Sequence, residues 1–530
     1  MPARSLVIEV VACETNAEML RGYLGADSRT DVVELRLDLV KDLNLDTLLR
    51  AAGKPKLITV RSRQQGGGAR PSDREPLLRR ALEAGVEYLD LEYGDHDLPL
   101  LKRRGRARRI LSYHDLETTP ADLSALHARL RAAAEGALLK IVTFADAASD
   151  NLRVRDLLRG TAPGELIAFC MGAKGAPSRI LAPHWGSAAV YAPARGSPSS
   201  APGQLPLEDL FDLYRFDRID GETRLLGVVG SPVGHSLSPL MHNRALEGLG
   251  LNYRYLPFEA TTLAEFLPLM SELRVSGLSV TLPHKERFLS YLDHLDETAR
   301  AVGAVNTVVK TWNRLEGYNT DVEAALAPLR DRVPVRGARV ALLGAGGAAR
   351  AVLYGLTRHG GRVTVFNRTP SRAKDLALRF GARHLPWNRL RGFPCDLLVN
   401  ATSVGLAPET DRTPIPASWI AAPVVYDIIY NPPETRLLKE ARAGGAETIG
   451  GVEMFVAQGA AQLRLFTGRE APLDLMRRSV FEALRSSGPA DGPAAIRPGP
   501  VKAAGAEGRR RTSSMIKRRW RKRGRRRPDR

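Results

Sequence analysis

A lysine enclosed by apolar residues is the first group in this chain that could do chemistry. Lys140 lies within the apolar run 137–142, where a charged ammonium is costly. Burial and nearby arginines would lower the pKa of Lys140 and leave a free amine, which attacks ketones. His114 follows the run 111–113 and would titrate near neutral pH, so it could move protons. The alternative for Lys140 is an edge-strand lysine whose ammonium reaches water.

Further polar groups stand at the ends of apolar runs in the first half of the chain. Glu34, Arg36 and Asp38 alternate, so in a strand their side chains share one face. Three more charged groups end later runs, namely Arg61, Asp90 and Glu92. The alternative for the last two acids is structural, as interior charges paired with Arg or Lys.

In the second half, a Lys and an Asp are candidates for a proton-transfer pair. The carboxylate of Asp321 would hold the ammonium of Lys285, which could protonate an alkoxide as it forms. Ser236 and Ser238 are two apart, so in extended chain both hydroxyls point the same way and suit a small carboxylate. The alternative for these serines is a turn or N-cap before the helix predicted over 239–249.

A glycine-rich segment at residues 344–350 follows the apolar run 340–343. Glycines there allow a tight turn off a strand and let the backbone approach a pyrophosphate at a helix N-terminus. The next predicted strand, 363–366, leads into Asn-Arg-Thr at 367–369, where NAD-binding chains carry an acid. A carboxylate would repel a 2′-phosphate that a guanidinium accommodates, so the sequence predicts NADP(H). The alternative is a turn that binds no ligand.

The spacing of apolar runs predicts the elements that position these groups. Eight strand-like runs alternate with helical patterns in residues 1–217, which predicts a (β/α)₈ barrel with functional groups at its C-terminal strand ends. The runs are 6–11, 32–37, 56–61, 86–92, 108–113, 138–144, 165–170 and 188–192. Residues 222–328, completed by 450–486, are predicted as a small α/β domain, and 329–449 as a doubly wound Rossmann domain. The predicted fold class is α/β, a barrel fused to a two-domain unit.

Composition narrows the class of protein. A chain of 530 residues with 44% apolar and 26% charged residues is typical of a soluble protein with several domains. It shows no apolar stretch long enough to span a membrane and no charged-then-apolar leader, so we expect a cytoplasmic protein. Cys13, Cys170 and Cys395 form neither a disulfide framework nor a zinc spacing, so we expect buried thiols and no metal. The sequence leaves monomer and homodimer open.

A basic C-terminal segment accounts for most of the net charge of +20. Residues 488–530 contain 15 Lys and Arg against 3 Asp and Glu and few large apolar residues, which predicts a disordered tail. The alternative is an anchor for nucleic acid or an acidic membrane surface, with Trp520 as a stacking residue.

Five motifs follow one another in the first half of the chain, namely 34–38, 112–115, Lys140, 175–179 and 200–204. Through these motifs, residues 5–215 resemble the type I 3-dehydroquinate dehydratases. The resemblance implies an imine between Lys140 and the ketone of 3-dehydroquinate, with His114 as general base and then acid, and with Glu34 orienting and tuning His114. It also implies that substrate is held by Arg36, Arg61, Arg179, Ser200 and Gln204.

A second series of motifs follows in the rest of the chain, namely 230–239, 278–285, 303–307, 317–321, 344–350, 367–369, 400–402 and 451–458. Through these motifs, residues 225–485 resemble the shikimate dehydrogenases. The resemblance makes Lys285 and Asp321 the catalytic pair. It implies a substrate site of Ser236, Ser238, Thr281, Asn306, Asp321, Tyr430 and Gln458. It places NADP(H) on Gly344, Ala345, Gly346, Gly347, Ala348, Asn367, Arg368, Thr369, Thr402 and Ser403.

Two residues depart from the patterns of these families. Gln65 stands where dehydratases often carry Glu, which would weaken lid closure or hydroxyl binding while leaving the Lys and His chemistry intact. Ser279 stands where monofunctional bacterial dehydrogenases commonly carry Asn, which would change one contact to a substrate hydroxyl.

The two implied activities are consecutive. The dehydratase makes 3-dehydroshikimate and the dehydrogenase reduces it, so the sequence predicts an enzyme of the shikimate route to aromatic amino acids. One rival is a second half that acts as a quinate dehydrogenase; Ser238 and Arg368 argue against it. Another is a catalytically inactive scaffold tethered through the basic tail.

Overall fold

Three β-sheets organise the part of the chain that the structure describes. The structure is a computed structural model, and it describes residues 4–94, 97–330 and 332–486. Within these ranges no helix combines the length and the apolar character that crossing a bilayer requires. The predicted tail, 488–530, lies outside the described residues.

The first sheet consists of eight parallel strands: β1 (Leu6–Val11), β2 (Val32–Arg36), β3 (Lys56–Thr59), β4 (Tyr88–Glu92), β5 (Arg108–His114), β6 (Leu138–Phe144), β7 (Leu166–Met171) and β8 (Ala189–Pro193). They pair in the order β7-β6-β5-β4-β3-β2-β1-β8. Just before β8, the Ala188 N–H donates to the Leu166 carbonyl at the start of β7 (2.8 Å). The sheet is therefore a nearly closed barrel, which confirms the predicted architecture.

Helices alternate with these strands and cover the outside of the barrel. They are α1 (Asn16–Leu24), α2 (Leu45–Arg50), α3 (Pro71–Glu83), α4 (Leu98–Leu101), α5 (Leu123–Ala133), α6 (Asp150–Arg159) and α7 (Ala176–Leu181). Local residues determine where α1 begins, through a capping box: Thr15 accepts from the Glu18 N–H, and Glu18 accepts from the Thr15 N–H. Because helices cover one face and the barrel interior the other, the strands are largely buried on both faces and mainly apolar, and several of their polar residues face the interior or end a strand.

A mixed six-stranded sheet follows. Its strands are β9 (Arg224–Gly230), β10 (Tyr253–Glu259), β11 (Gly277–Val280), β12 (His294–Leu295), β13 (Thr307–Thr311) and β14 (Arg314–Tyr318). Its helices are α8 (Ser238–Gly248), α9 (Leu263–Glu272), α10 (Glu297–Val302) and α11 (Asp321–Leu326). The strand order is β10-β9-β11-β13-β14-β12, with β13 antiparallel to both of its neighbours.

The third sheet is parallel and doubly wound. Its strands are β15 (Arg339–Leu343), β16 (Arg362–Phe366), β17 (Arg383–His384), β18 (Leu397–Asn400), β19 (Val424–Asp427) and β20 (Glu447–Ile449). Its helices are α12 (Gly347–Arg358), α13 (Pro370–Arg379) and α14 (Arg436–Ala443). The order β17-β16-β15-β18-β19-β20 reverses direction between β15 and β18, which is where such sheets bind dinucleotides.

The chain then returns to the mixed sheet through two helices. These are α15 (Val452–Thr467) and α16 (Leu473–Ser486). Val456 and Leu463 of α15 and Met476 of α16 share one buried cluster with Met241 of α8. The last helices thus complete the core of the middle unit.

The barrel contacts the middle unit through loops that follow β6 and β7. The Lys174 ammonium lies 2.7 Å from Glu265 on α9, and this carboxylate also accepts from the Ala148 N–H (3.3 Å). Arg155 on α6 pairs with Glu272 at the end of α9 (3.2 Å). Because these loops follow strand ends, the end of the barrel that carries the candidate site adjoins the middle unit.

Two candidate active sites

Lys140 lies inside the barrel, on a strand with neighbours on both sides. Its side chain is 5% exposed, and its Nζ is 3.3 Å from Asp90 Oδ2 and 4.0 Å from Glu34 Oε1. The ammonium also lies over the ring of Tyr191, 4.1 Å from the centroid. Burial lowers the pKa of Lys140; Asp90 and Glu34 oppose this shift, and Arg61 adds to it. The environment therefore favours a neutral amine more than water does.

The charged groups around Lys140 form a buried network. Arg61 lies 2.9 Å from Asp90 Oδ2 and donates to the Ser112 hydroxyl (2.8 Å). The Ser112 hydroxyl in turn donates to Asp90 Oδ1 (2.6 Å). Glu92 accepts from the Ser62 N–H (2.8 Å) and lies 3.5 Å from Arg61. Asp90 and Glu92 are thus interior acids paired with an arginine, as the structural alternative predicts. Asp90 also contacts Lys140, the candidate nucleophile.

His114 ends the strand beside Lys140. Ser112 is in register with Lys140, and His114, two residues further on the same face of β5, is a diagonal neighbour of the lysine. Burial and the positive charges of Arg61, Lys140 and Arg36 lower the pKa of His114 well below its usual value. The imidazole is therefore neutral at pH 7 and can act as a base.

The partner of this imidazole is Gln65. Its amide oxygen lies 3.1 Å from Nδ1 of His114, so Nδ1 carries the proton and donates, while Nε2 keeps its lone pair. The described contacts of Glu34 are different: Glu34 accepts from the Thr59 hydroxyl (2.7 Å) and lies near Lys140. The contacts therefore place Gln65, rather than Glu34, at the imidazole.

The predicted substrate arginines differ in their pairing. Arg36 makes two hydrogen bonds to Asp38 (2.9 and 2.8 Å). Arg179 on α7 is buried, donates to the Pro202 carbonyl (3.0 Å) and stacks on Phe169 (4.8 Å to the ring centroid).

No acid pairs with Arg179 among the described residues, and its Nε lacks a hydrogen-bond partner there. Burial lowers its pKa to about 10. A buried guanidinium of this kind can bind an anion. Ser200 lies in the adjacent loop, where its N–H donates to Gln204 Oε1 (3.0 Å).

The second candidate site is a cavity of about 910 Å³ between the mixed sheet and the Rossmann sheet. The predicted substrate and catalytic residues of the second half line it together, although the chain separates them widely. They are Ser236, Ser238, Thr281, Lys285, Asn306, Asp321, Tyr430 and Gln458.

Lys285 and Asp321 are in direct contact in this cavity. The ammonium nitrogen lies 2.6 Å from Asp321 Oδ2, and the other carboxylate oxygen accepts from the Asn306 amide (2.9 Å). The second hydrogen of that amide goes to the Thr320 hydroxyl (2.8 Å). Asn306 therefore orients the carboxylate that holds the ammonium, so the pair is suited to proton transfer.

The glycine-rich loop has the space that a dinucleotide needs. Gly344 has φ +108°, and a Cβ there would lie 2.8 Å from the Ala401 carbonyl oxygen, so only glycine fits. Gly346 caps α12, and a Cβ on it would meet no atom within 4 Å, so the helix N-terminus is open to an anion. A Cβ on Gly347 would lie 3.7 Å from Cδ of Lys285, which brings this loop next to the catalytic pair.

The end of β16 also fits a phosphorylated dinucleotide. Asn367 donates to the Thr369 carbonyl (3.0 Å), which shapes the turn before α13. Arg368 is exposed, and among the described residues it takes part in no ion pair. Its guanidinium is thus available to a 2′-phosphate. Thr402 donates to Asn400 Oδ1 (2.7 Å) beyond β18, and Ser403 follows it.

Sequence reasoning missed several residues of both sites. It did not single out Tyr191, although Tyr191 lies in the last barrel strand, or Gln462, although Gln462 lies four positions after Gln458 on the same face of α15. It noted Gln65 only as a departure from a family pattern. The contact with His114 depends on how the loop after β3 folds, which no local pattern predicts.

Family models match most of the chain. The model of type I 3-dehydroquinase matches residues 8–220. The shikimate dehydrogenase substrate binding domain matches 228–308, shikimate / quinate 5-dehydrogenase matches 329–404, and the shikimate 5′-dehydrogenase C-terminal domain matches 451–481.

Similar proteins extend this picture. A bifunctional 3-dehydroquinate dehydratase/shikimate dehydrogenase, chloroplastic, of Arabidopsis thaliana is 35% identical over 84% of this chain and 79% of its own. A shikimate dehydrogenase (NADP(+)) of Methanopyrus kandleri is 42% identical over 50% of this chain and 98% of its own. Shikimate 5-dehydrogenase of Thermus thermophilus, solved with NADP(H) and shikimate, is 40% identical over 49% of this chain and 99% of its own, with a TM-score of 0.46. The chain therefore belongs to the family of bifunctional 3-dehydroquinate dehydratase/shikimate dehydrogenases.

Proposed function

We propose that this enzyme dehydrates 3-dehydroquinate in the barrel and reduces the product, 3-dehydroshikimate, to shikimate with NADPH in the second half. One observation carries the proposal. The same chain holds a buried, pKa-lowered lysine beside a neutral histidine, and a Lys285–Asp321 pair beside a glycine loop that suits a dinucleotide.

In the barrel, the neutral amine of Lys140 attacks the ketone carbon, and loss of water leaves a protonated imine. This iminium withdraws electrons, so the neighbouring C2–H becomes acidic enough for Nε2 of His114 to remove the proton. The imidazolium then protonates the departing C1 hydroxyl, which leaves as water. Hydrolysis of the imine releases 3-dehydroshikimate and restores Lys140. Arg179, which pairs with no acid among the described residues, supplies the cation that holds the substrate carboxylate.

Other polar groups complete the barrel site. Asp90 and Glu34 keep the charge near Lys140 balanced as the amine becomes a cation. Arg61 contacts both Asp90 and Ser112, and it thereby fixes the position of the Asp90 carboxylate. We assign Arg36, Ser200 and Gln204 to the walls and lid of the site, where they would contact ring hydroxyls.

In the second site, NADPH supplies the hydride when it is bound. Lys285 donates a proton to the substrate oxygen as the ketone becomes an alcohol, and Asp321 holds the ammonium in place. We assign the substrate carboxylate to Ser236 and Ser238. The remaining cavity residues that would contact the ring are Thr281, Asn306, Tyr430 and Gln458.

We assign NADP(H) to the open N-terminus of α12 and to the end of β16. Gly344, Ala345, Gly346, Gly347 and Ala348 would surround the pyrophosphate. Asn367, Arg368 and Thr369 would take the 2′-phosphate, and Thr402 and Ser403 would lie at the nicotinamide end.

One coupled assay tests the proposal. The pure protein is incubated with 3-dehydroquinate and NADPH, and absorbance of the reduced nicotinamide is followed. We expect loss of absorbance only when both compounds are present; no loss with either 3-dehydroquinate or 3-dehydroshikimate would overturn the proposed reduction. The rival activity is separated by initial rates, since a quinate dehydrogenase would prefer quinate with NAD⁺ over shikimate with NADP⁺.

Three further assignments are proposals. We place domain limits at 1–217, 222–328 with 450–486, and 329–449. Cys13, Cys170 and Cys395 are free thiols, which fits a reducing compartment such as the cytoplasm, although the Arabidopsis relative is named as chloroplastic. A monomer or a homodimer would be compatible with two complete sites in one chain.

A further inference from the structure

The barrel helix that carries Arg179 lies at the junction of the two halves of the chain. This helix, α7, contacts β10 of the middle unit. Ile180 and Leu181 of α7 belong to the same buried apolar cluster as Phe258 of β10 and Phe266 of α9. Contacts made by either half can therefore affect the position of α7.

Glu265 on α9 divides its two carboxylate oxygens between the two halves. Oε1 accepts from the Thr261 hydroxyl (2.7 Å) and from the Thr262 N–H (3.0 Å), which stabilises the start of α9. Oε2 lies 2.7 Å from the Lys174 ammonium and accepts from the Ala148 N–H (3.3 Å), and both of these groups belong to the barrel. The side chains of Glu265 and Lys174 are 12% and 18% exposed, so water screens this ion pair less than it screens an exposed one.

The barrel groups that Glu265 contacts lie in two different loops. Lys174, in the loop after β7, also donates to the Asp146 carbonyl (2.6 Å) in the loop after β6. The amide nitrogen of Asn151 joins the same loops, because it donates to the carbonyls of Ala148 and Lys174 (2.8 Å each). Glu265 therefore binds both loops at the place where they meet.

Asn151 extends this arrangement to α7. Its amide oxygen accepts from the Ser178 N–H (3.1 Å) in the first turn of the helix. The Ser178 hydroxyl donates to the Gly175 carbonyl (2.8 Å), at the end of the loop after β7. The side chains of Asn151 and Ser178 are completely buried. The position of the two loops thus fixes the start of α7, where Arg179 is the next residue.

Arg179 takes its position from α7. Its guanidinium donates to the Pro202 carbonyl (3.0 Å) and stacks on Phe169, and no acid among the described residues anchors it. A guanidinium is planar, and its paired contact with a carboxylate depends strongly on orientation. A small displacement of α7 would therefore weaken the binding of a substrate carboxylate. It would affect the reaction at Lys140 and His114 less, because these residues lie on the barrel strands β6 and β5.

We propose that Glu265, a residue of the dehydrogenase half, is a positioning residue for the dehydratase site. It holds the loops after β6 and β7 together, and through Asn151 and Ser178 it sets the place of Arg179. The proposal rests on the proposed dehydratase function, in which Arg179 binds the substrate carboxylate. It means that the barrel reaches its full affinity for substrate when the second half is folded against it.

The first test is Glu265→Gln in the full-length chain at pH 7. The oxygen of the new amide can still accept at the start of α9, while its nitrogen faces the Lys174 ammonium and does not attract it. We expect the KM for 3-dehydroquinate to rise about tenfold, as one charge-assisted hydrogen bond loses its geometry, and the kcat for dehydration to change less. Shikimate oxidation by the same protein should stay at the wild-type rate, which shows that the second half is folded. An unchanged KM for 3-dehydroquinate would overturn the proposal.

Two matched variants separate positioning from a general weakening of the interface. Lys174→Met breaks the same ion pair from the barrel side and leaves the start of α9 intact, so it should raise the KM by a similar factor. Glu272→Gln breaks another ion pair between the barrel and α9, that with Arg155 (3.2 Å), which lies on α6 and not in either loop. Its KM should stay at the wild-type value. A wild-type KM in Lys174→Met, or an equal rise in Glu272→Gln, would contradict the proposed role of Glu265.

A double variant tests whether the effect of Glu265 passes through Arg179. Arg179→Lys keeps a cation in the site, but the contact of an ammonium with a carboxylate depends less on orientation than that of a guanidinium. Adding Glu265→Gln to Arg179→Lys should therefore raise the KM by a smaller factor than adding it to wild type. Equal factors in the two backgrounds would mean that Glu265 does not act on Arg179, and the proposal would be wrong. A wild type that does not dehydrate 3-dehydroquinate would instead refute the proposed function.

Discussion

Gln65 and His114 are hydrogen-bonded, with the Gln65 amide oxygen 3.1 Å from Nδ1 of the imidazole. The contact fixes the tautomer whose Nε2 is free to accept a proton. Because an amide carries no charge, it does not stabilise the imidazolium as a carboxylate would. This is consistent with a His114 pKa well below its usual value.

Gln65→Glu should therefore raise the pKa of His114. The added carboxylate favours the protonated ring, and the base is lost as pH falls through its pKa, so the acid limb of kcat/KM for dehydration should move to higher pH. The measurement is the pH profile with 3-dehydroquinate, with the profile of shikimate oxidation by the same protein as control. An acid limb that stays in place would show that position 65 does not control the imidazole.

Two lysine substitutions should separate the two activities. Lys140→Ala removes the amine that forms the imine, so dehydration should be abolished while shikimate oxidation continues. Lys285→Ala should do the opposite, with a loss of about 10²-fold or more in shikimate oxidation from the missing proton donor. Each variant is the folding control of the other.

Chemical trapping adds a direct test of the nucleophile. Borohydride reduces an imine to a stable amine, so wild type treated with 3-dehydroquinate and borohydride should gain a covalent adduct that Lys140→Ala lacks. Labelling of the variant would mean that another amine is the nucleophile.

Arg368→Asp should weaken NADPH binding more than NADH binding. A charge-assisted hydrogen bond to the 2′-phosphate is worth about 1.5–3 kcal/mol, so the ratio of the two KM values should change at least tenfold. Because Arg368 is exposed, we expect the variant to fold as wild type does. A constant ratio would remove Arg368 from the cofactor site.

Glu265→Gln should weaken the contact between the barrel and α9. Burial opposes ionisation, yet hydrogen bonds from Lys174, Thr261 and the Thr262 N–H hold the pKa of Glu265 at about 2. This lowered pKa adds stability above about pH 4.5, which is lost as pH falls toward 2. The Tm of the variant should thus be lower at pH 7, with a deficit that shrinks in acid.

Glu272→Gln is the control for this prediction. Glu272 also bridges the barrel and α9, through Arg155, but its side chain is 57% exposed. Exposed ion pairs contribute little to the free energy of unfolding, so the Tm of Glu272→Gln should stay close to that of wild type both at pH 7 and in acid. Equal deficits in the two variants would contradict the special role of Glu265.

Removal of residues 488–530 should leave both activities in place. The segment carries 15 basic and 3 acidic residues, so its loss should weaken retention on heparin at a given salt concentration. Chromatography of the full and shortened chains, with both assays, is the measurement. Lost activity would show that the segment contributes to the fold.

The architecture and the candidate nucleophile could both be predicted from the amino-acid sequence. The barrel strands and the doubly wound sheet follow from apolar runs, because a strand covered on both faces is apolar over most of its length. Lys140 was evident for the same reason, since a single amine in such a run is out of place. The glycines at 344–350 and the segment 367–369 with its arginine likewise predict a dinucleotide site from the local sequence. The backbone space that glycine leaves and the charge of arginine are properties of the residues themselves.

The contacts between polar side chains, in contrast, depend on the three-dimensional fold. Gln65 reaches His114, Arg179 remains without an acid among the described residues, and Gln462 meets Ser279 across 183 positions. Hydrogen bonds act over about 3 Å, and a pattern along the chain does not specify where loops from different strands converge. The contacts of Gln65 and Gln462 therefore depend on how the loops and helices are arranged in space.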